Sequence, residues 1–304
     1  MQSLNLRDTL KKIVLLKKKS NSKFKKVKIA FLRNYTIEKI VPYIEYFFLK
    51  EGLYPKFYFS DYDNVFQEIL AKDSNFYKFA PDVTILAINN SYTGGEKLTY
   101  NFIETLQKNL DSEIKRLIDQ SENIISTLSK KNVGTILVHN FETPKFPSLG
   151  ILDYQSEKFQ INSFRKLNLK LSEICKNYKN TYIIDIDFLQ RFFGSEKVND
   201  YRYWHIEKNP YSQIFLQHIA KDYLKFVKAI SGKVKKCIVL DMDNTLYGGI
   251  LGEDGLDGIQ IGKNFPGSAF TNFQKSILNL YNRGVILGIS TKNNLEDAME
   301  VLEK

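Results

Sequence analysis

The chain has 304 residues, which is enough for about two domains that each bury a core. Its formal net charge is +10, but the lysines are scattered along the chain, and this distribution argues against a dedicated nucleic-acid surface. Cys175 and Cys237 lack the spacing of a disulfide framework or a zinc site, and the histidines lack metal-ligand spacing. We therefore expect a protein of the reducing cytoplasm.

The first predicted element is a basic helix. Nine lysines lie between Lys11 and Lys28 and surround the apolar run 13–16. This run is too short for a signal peptide or for a transmembrane segment. We interpret residues 1–25 as a basic amphipathic leader with a solvated helix. Weak contact with anionic lipid or with an acidic carrier protein is the alternative.

Residues 26–230 alternate apolar strands with amphipathic helices. Helical spacing of three and four residues recurs between Leu98 and Ile118, between Phe164 and Ile174, and less strictly between Ile214 and Phe226. Strands are predicted at 28–32, 56–59, 83–88, 135–138 and 182–186. This alternation predicts an α/β fold with a doubly wound, flavodoxin-like parallel sheet.

A second domain is predicted over residues 235–304, after the stop signal at Gly232. It contains a strand that ends at Leu240, a glycine-rich stretch at 248–267, a helix at 269–281, a strand at 285–290 and a helix from Leu295. Two parallel strands make about half of a Rossmann-type domain and leave an apolar sheet edge. We therefore expect the chain to stop within this domain.

Two aspartates, Asp241 and Asp243, directly follow the first strand of this second domain. In an open α/β sheet, ligands bind at the carboxyl ends of the strands. A calcium loop is excluded, because Leu246 and Gly252 occupy positions where an EF-hand requires Gly and Glu. A pair of solvated turn formers at a strand end stays possible.

The Asp-x-Asp-x-Thr pattern from Asp241 to Thr245 resembles the phosphotransfer loop of the haloacid dehalogenase (HAD) superfamily. The resemblance implies that Asp241 attacks phosphorus and forms an aspartyl-phosphate. Asp243 would protonate the leaving oxygen and later activate water. The resemblance also implies a Mg²⁺ ion, held by Asp241 and by the backbone carbonyl of Asp243, with Asn244 and Thr245 close to the phosphate.

The second strand of this domain leads into the segment 290–294. HAD enzymes hold a phosphate oxygen with a hydroxyl at such a position, and we choose Thr291 over Ser290, which continues the apolar alternation. Lys292 either meets an anionic substrate or faces solvent. Asn293 and Asn294 either cap the next helix or contact a ligand. The lysine clamp and the further acidic pair of HAD enzymes do not appear in the sequence, so we expect this chain alone to be inactive.

A longer run resembles the FkbH-like family, HAD subfamily IIIC. The matching segments are 240–255, 258–259, 273–274 and 290–294. The resemblance implies an enzyme that dephosphorylates a phosphorylated small acyl donor and loads the acyl group on an acyl carrier protein. An example of such a reaction is glyceryl transfer from 1,3-bisphosphoglycerate in secondary-metabolite or surface-polysaccharide biosynthesis. Glu253 and Asp254 would lie on a flap, at its surface or in contact with substrate.

The first domain resembles SGNH hydrolases, as the N-terminal domains of FkbH-like proteins do. The resemblance implies Thr36 at the nucleophile position and Asn90 as an oxyanion donor. Lys208 stands where the histidine base is expected, and His205 stands where the aspartate is expected. A lysine acts as a neutral base only if burial lowers its pKa. His139 is a further candidate for the cleft. We prefer a binding or carrier-docking scaffold, and an intact esterase is the alternative.

Overall fold

The computed structural model describes residues 4–19, 24–89, 97–131 and 133–303. The internal contacts divide the chain into two units, Met1–Val227 and Lys228–Lys304. Within the described ranges, no helix combines the length and the apolar character that crossing a membrane requires.

The first unit is built on a five-stranded sheet in which every pairing is parallel. The strands are β1 (Lys25–Arg33), β2 (Leu53–Phe59), β3 (Val83–Ala87), β4 (Thr135–His139) and β5 (Thr181–Ile184). Their order in the sheet is β2-β1-β3-β4-β5, which is the flavodoxin-like order with a topological switch point between β1 and β3. The predicted α/β fold with a doubly wound parallel sheet is confirmed.

Helices cover both faces of this sheet. They are α1 (Leu6–Lys19), α2 (Val41–Lys50), α3 (Val65–Leu70), α4 (Asn75–Phe79), α5 (Phe102–Lys108), α6 (Leu110–Lys130), α7 (Gln160–Lys176), α8 (Ile186–Phe193), α9 (Ser195–Val198), α10 (Tyr201–Glu207) and α11 (Gln213–Ile230). Two 3-10 turns, Glu38–Ile40 and Gly150–Gln155, add to them.

The two cores of the first unit follow from the alternation of side chains along β1. Successive side chains of a strand point to opposite faces of its sheet. Ile29 and Phe31 therefore pack with residues of α2, α8 and α11. Ala30 and Leu32 pack on the other face with residues of α3 to α7. The carboxyl ends of the strands carry some of the buried polar residues of the unit, among them Asn89, His139 and Glu142.

The first two strands begin about three residues earlier than predicted, at Lys25 and Leu53, and two further predictions for the first unit were wrong. The fifth strand ends at Ile184 rather than at residue 186, because the side chain of Asp185 accepts the N–H of Phe188 at 2.8 Å and starts α8. The helical pattern after Leu98 is two helices, not one. Asn109, with an extended φ of −159°, separates α5 from α6.

The second unit contains a two-stranded parallel sheet of β6 (Cys237–Leu240) and β7 (Ile286–Ile289). Its helices are α12 (Leu251–Gly258), α13 (Gly267–Asn282) and α14 (Leu295–Glu303). The glycine-rich stretch thus includes a helix, α12, which is interrupted at Gly255 with a φ of +66°. Val239 and Ile286 are each 64% exposed, so the sheet presents the apolar surface that two strands alone leave uncovered.

Candidate active site

The two strands of the second unit end side by side. Leu240 pairs with Ile289, and the N–H of Ser290 donates to the carbonyl of Leu240 at 2.9 Å. Parallel strands present their carboxyl ends at the same edge of a sheet. The segments that begin at Asp241 and at Ser290 therefore leave the sheet from neighbouring positions.

Asp243 is the most heavily hydrogen-bonded side chain of this edge. Its Oδ1 accepts the hydroxyl of Tyr247 at 2.9 Å, the backbone N–H of Leu251 at 3.1 Å and the amide of Asn293 at 3.1 Å. The same amide lies 3.2 Å from Oδ2. Partial burial raises the pKa of Asp243, but these donors outweigh burial and hold the pKa below its ordinary value. The arrangement stabilises the carboxylate form.

Asp241 differs from Asp243 in its surroundings. It is exposed, and its Oδ1 accepts only the backbone N–H of Met242, at 2.8 Å. Its Oδ2 accepts no hydrogen bond among the described residues. One carboxylate oxygen at the strand end is therefore available to a cation or to an electrophile, two residues from a carboxylate that is held in place.

The loop that follows Asp243 is closed by reciprocal hydrogen bonds. The N–H of Asn244 donates to the carbonyl of Gly249 at 3.2 Å, and Oδ1 of Asn244 accepts the N–H of Gly249 at 3.0 Å. Asn244 has a φ of +52°, a conformation that Asn tolerates better than most residues. Asn244, predicted to bind phosphate, thus uses its side-chain oxygen to shape the loop. Thr245 is half-buried, and its N–H donates to the carbonyl of Met242 at 3.1 Å.

Asp254 fixes the start of α12 against this loop. Its Oδ2 accepts the N–H of Ile250 at 2.8 Å. A Cβ added at Gly249 would lie 2.9 Å from Oδ2 of Asp254, and one added at Gly258 would lie 2.7 Å from its Cβ. Glycine is therefore required at both positions for this contact. Asp254 is exposed, and its carboxylate supports the turn that delivers the N–H of Leu251 to Asp243.

The segment after β7 contacts Asp243 through Asn293. Thr291 is half-buried, and its Oγ1 accepts the N–H of Asn293 at 3.2 Å, so the predicted phosphate anchor and Asp243 share a neighbour. Lys292 is exposed and makes no salt bridge with a described residue. Asn294 lies 3.5 Å from Asp297. The sequence pattern is compatible with helix capping or ligand contact for Asn293, and it does not indicate the contact with Asp243.

The donor set at this edge fits Mg²⁺. In phosphoryl-transfer sites Mg²⁺ is usually held by one or two carboxylates together with water and phosphate oxygens. Asp241 offers a free oxygen and Asp243 lies two residues away. In the described part of the chain, no cluster of three or more Asp, Glu, His or Cys side chains forms an all-protein metal cage. Asp241 and the backbone carbonyl of Asp243, the ligands that the resemblance to the HAD loop implies, would hold such a cation, and substrate and water would complete its coordination.

The first unit carries a buried polar network at the carboxyl ends of β1, β3 and β4. His139 lies between the hydroxyls of Tyr35, 3.2 Å from Nδ1, and Tyr223, 2.6 Å from Nε2. Burial lowers the pKa of His139 to about 3, so its ring is neutral. His139, a predicted candidate for the cleft, is buried in this network with both ring nitrogens engaged.

Glu142 belongs to the same network and was not predicted as a site residue. Its Oε1 accepts the hydroxyl of Tyr211 and the amide of Asn89, the latter at 3.1 Å. Burial raises the pKa of Glu142 to about 7; the bond from Tyr211 opposes this shift, and the nearby charge of Asp187 adds to it. Glu142 lies three residues after the end of β4, and this position alone gives little indication in the sequence of a buried functional residue.

The other candidates of the first unit are not gathered around a nucleophile. The N–H of Thr36 donates to the carbonyl of Lys208 at 2.9 Å, so these two meet through their backbones. The ammonium of Lys208 lies 4.9 Å from the ring centre of Trp204, and the side chain of His205 is exposed. The hydroxyl of Thr36 makes no hydrogen bond to a described histidine or carboxylate, and Asn90 lies outside the described residues. The esterase site stays a prediction.

Known proteins resemble this chain in sequence and in fold. The family profile of the FkbH N-terminal domain matches residues 44–228. The chain is similar to the crystal structure of the N-terminal part of protein BF1531 from Bacteroides fragilis, which contains a phosphatase domain and is complexed with Mg. The identity is 25%, the similarity covers 99% of this chain and 77% of that chain, and the TM-score is 0.81.

Weaker structural similarity extends to two other proteins. An acetyl xylan esterase is 15% identical over 66% of this chain and 100% of its own, with a TM-score of 0.40. A salicylyl-acyltransferase of a tetracycline biosynthetic pathway is 11% identical over 69% of this chain and 56% of its own, also with a TM-score of 0.40. Neither likeness is strong enough to carry a functional inference. No curated protein matches the sequence.

Proposed function

Because the chain belongs to the FkbH N-terminal domain family, we propose that its second unit supplies the nucleophile half of a Mg²⁺-dependent phosphotransfer site of the HAD type. One observation supports this most: Asp241 keeps a free carboxylate oxygen at a strand end, next to Asp243, which several donors hold as a carboxylate. The likeness to the phosphatase-domain protein complexed with Mg extends over nearly the whole chain, including this edge.

The proposed reaction has two steps. An oxygen of Asp241 attacks phosphorus, the bond from phosphorus to the leaving oxygen breaks, and an aspartyl-phosphate forms. Water then attacks the phosphorus of the aspartyl-phosphate, Asp243 accepts the proton of that water, and inorganic phosphate leaves with Asp241 restored. Thr291 and the loop residues Asn244 and Thr245 would contact phosphate oxygens. A bound Mg²⁺ would offset the repulsion between the carboxylates and the phosphate.

The substrate class that we propose is an acyl phosphate. The donors around Asp243 favour its carboxylate form, which suits the activation of water better than the protonation of a leaving group. An acyl phosphate releases a carboxylate, which leaves without a proton, whereas an alkyl phosphate releases an alkoxide that requires one. A small acyl donor such as 1,3-bisphosphoglycerate fits this proposal, and attack at phosphorus releases its acyl group as the free carboxylate. Loading the acyl group on an acyl carrier protein would be a separate step, in which the carrier thiol attacks the acyl carbon and inorganic phosphate is the leaving group.

The test is the binding of a phosphate analogue by the 304-residue chain. Beryllium trifluoride with Mg²⁺ mimics a phosphoryl group attached to an aspartate, and its binding is measured by isothermal titration calorimetry. We expect saturable binding that requires both Mg²⁺ and fluoride. Heat of binding that is the same without Mg²⁺, or no binding at all, would contradict the proposed site.

Replacing Asn293 by Ala is expected to weaken this binding about ten-fold. The change removes the side-chain amide that donates to both oxygens of Asp243, so Asp243 loses its hydrogen bond to the segment after β7. The backbone N–H of residue 293, which donates to Thr291, is kept. The magnitude corresponds to the loss of one hydrogen bond to a charged group, about 1.5 kcal/mol. Asn294→Ala is the matched control, because Asn294 is exposed and is expected to leave the affinity unchanged. Equal losses in both variants would show that Asn293 has no special role.

A further inference from the structure

One face of α1 anchors this helix to the first unit, which directs the opposite face to solvent. Thr9 and Ile13 are 1% and 3% exposed. The ammonium of Lys17 lies 2.6 Å from the carboxylate of Glu45 on α2. The helix is therefore held through three positions along its length, and its orientation on the unit is defined.

The outward face mixes cationic and apolar side chains. Arg7, Lys11, Val14 and Lys18 are exposed and follow the four-three-four spacing that places residues in one row of a helix. Leu10 and Leu15 lie beside this row. The side chains of Leu10, Val14 and Leu15 are 47%, 53% and 59% exposed. We call these six residues the α1 ridge.

The charge of α1 is strongly positive and continues onto its neighbour. Between Leu6 and Lys19 the helix carries six cationic residues and one acidic residue, Asp8, which gives a net charge of +5. The ammonium groups of Lys12 and Lys50 lie 6.0 Å and 5.6 Å from the ring centre of Tyr46 on α2. Glu45, the acidic residue of this stretch of α2, is already paired with Lys17.

We propose that the α1 ridge binds the surface of an anionic membrane, with the helix axis parallel to that surface. A helix with lysines and aliphatic residues on its outward face gains binding free energy from both the headgroups and the acyl chains of a lipid interface. The cations meet anionic headgroups, and the aliphatic side chains enter the boundary below them. Long lysine side chains reach the headgroups while their methylene groups cover apolar surface.

The composition of the ridge favours lipid over other polyanions. Single-stranded nucleic acid is bound by cations together with aromatic side chains that stack on bases, and the ridge has aliphatic side chains instead. An acidic protein would have to cover three aliphatic side chains on a convex single helix with a groove of its own. A fluid lipid boundary adapts to such a ridge without a preformed groove.

Vesicle flotation of the 304-residue chain tests this proposal. We expect the protein to float with phosphatidylcholine vesicles that contain about 30% phosphatidylglycerol, and not with pure phosphatidylcholine vesicles. Binding should weaken as the salt concentration rises. In the double variant Lys11→Glu/Lys18→Glu, the apparent partition constant should fall at least about 30-fold, because each cation near the surface contributes to binding. Absence of flotation of the wild-type protein at low salt would overturn the proposal.

Two further variants separate the ridge from non-specific charge effects. Lys115→Glu/Lys176→Glu changes the net charge by the same amount at exposed positions of α6 and α7, and it should bind as the wild type does. An equal loss in this control would refute a defined surface. Leu10→Ser/Leu15→Ser should also weaken flotation while keeping the charge. The membrane proposal would be wrong if this variant floated as well as the wild type and the wild-type protein bound soluble polyglutamate as tightly as it binds vesicles. The partner would then be an acidic polymer.

Discussion

Replacing Asp241 by Asn is expected to abolish the Mg²⁺-dependent binding of beryllium trifluoride, with a loss in affinity of at least about 100-fold, or about 2.8 kcal/mol. The analogue binds as an electrophile to a carboxylate oxygen, and an amide at this position lacks both the charge and the nucleophilic oxygen. Because the side chain of Asp241 accepts a single hydrogen bond within the described part of the chain, from the N–H of Met242, the change removes little that holds the loop together. Calorimetry at a fixed Mg²⁺ concentration measures the difference.

Asp257→Asn provides the matched control for this substitution. Asp257 is an exposed residue of α12 in the same unit, and its replacement changes the net charge by the same amount. We expect its affinity for the analogue to equal that of the wild type. If Asp241→Asn still bound the analogue with wild-type affinity, Asp241 could not be the nucleophile, and the proposed reaction would lose its first step.

The sheet of the first unit was predictable because its strands are short apolar runs that recur between helical patterns. Buried parallel strands read as continuous apolar segments, as Val83 to Ala87 does. The boundary errors have local causes that the apolar pattern does not contain. Asp185 ends β5 because its side chain caps α8, and Ile186 belongs to that helix although it continues the apolar run.

The second unit shows which part of a site a motif can indicate. Asp241 and Asp243 were identified from their position after a strand, since the carboxyl end of a strand is where ligands bind. Asn293 lies 50 positions beyond Asp243, and their contact depends on the register of β6 and β7. Tyr247 is only four residues from Asp243, but its hydroxyl reaches the carboxylate through a turn that the Asn244–Gly249 pair creates. Neither contact follows from spacing.

The network of the first unit was less predictable than either sheet. Glu142, Tyr211 and Asn89 come from three separate loops and meet only because β3, β4 and the segment before α11 converge. The sequence suggested that His139 lines a cleft, since it ends a strand. Its neighbours are two tyrosines that bury it. Some of the many aromatic residues of the chain therefore enclose buried polar groups.

Replacing Glu142 by Gln is expected to stabilise the first unit at pH 8 by about 3 kcal/mol relative to its effect at pH 4. Burial raises the pKa of Glu142 from an ordinary value near 4.5 to about 7. Below pH 4.5 the group is protonated in both the folded and the unfolded states and does not affect stability. As the pH rises from 4.5 to 7, the unfolded state loses the proton first, so folding stability falls, and above pH 7 the loss is complete. Because Gln carries no charge at any pH, the variant does not lose folding stability through this group as the pH rises.

Trp204 makes the measurement specific to the first unit. It is the single tryptophan of the chain and lies on α10, so its fluorescence during urea unfolding reports the stability of this unit. The control is Glu122→Gln, an exposed residue of α6, for which the difference from wild type should not change between pH 4 and pH 8. If Glu142→Gln also gave a difference independent of pH, the pKa of Glu142 would be the same in the folded and unfolded states, and the buried group would be ionised at pH 8. The Tyr211 and Asn89 donors would then stabilise its charge enough to offset burial, and the network would be a preorganised anionic centre instead of a neutral one.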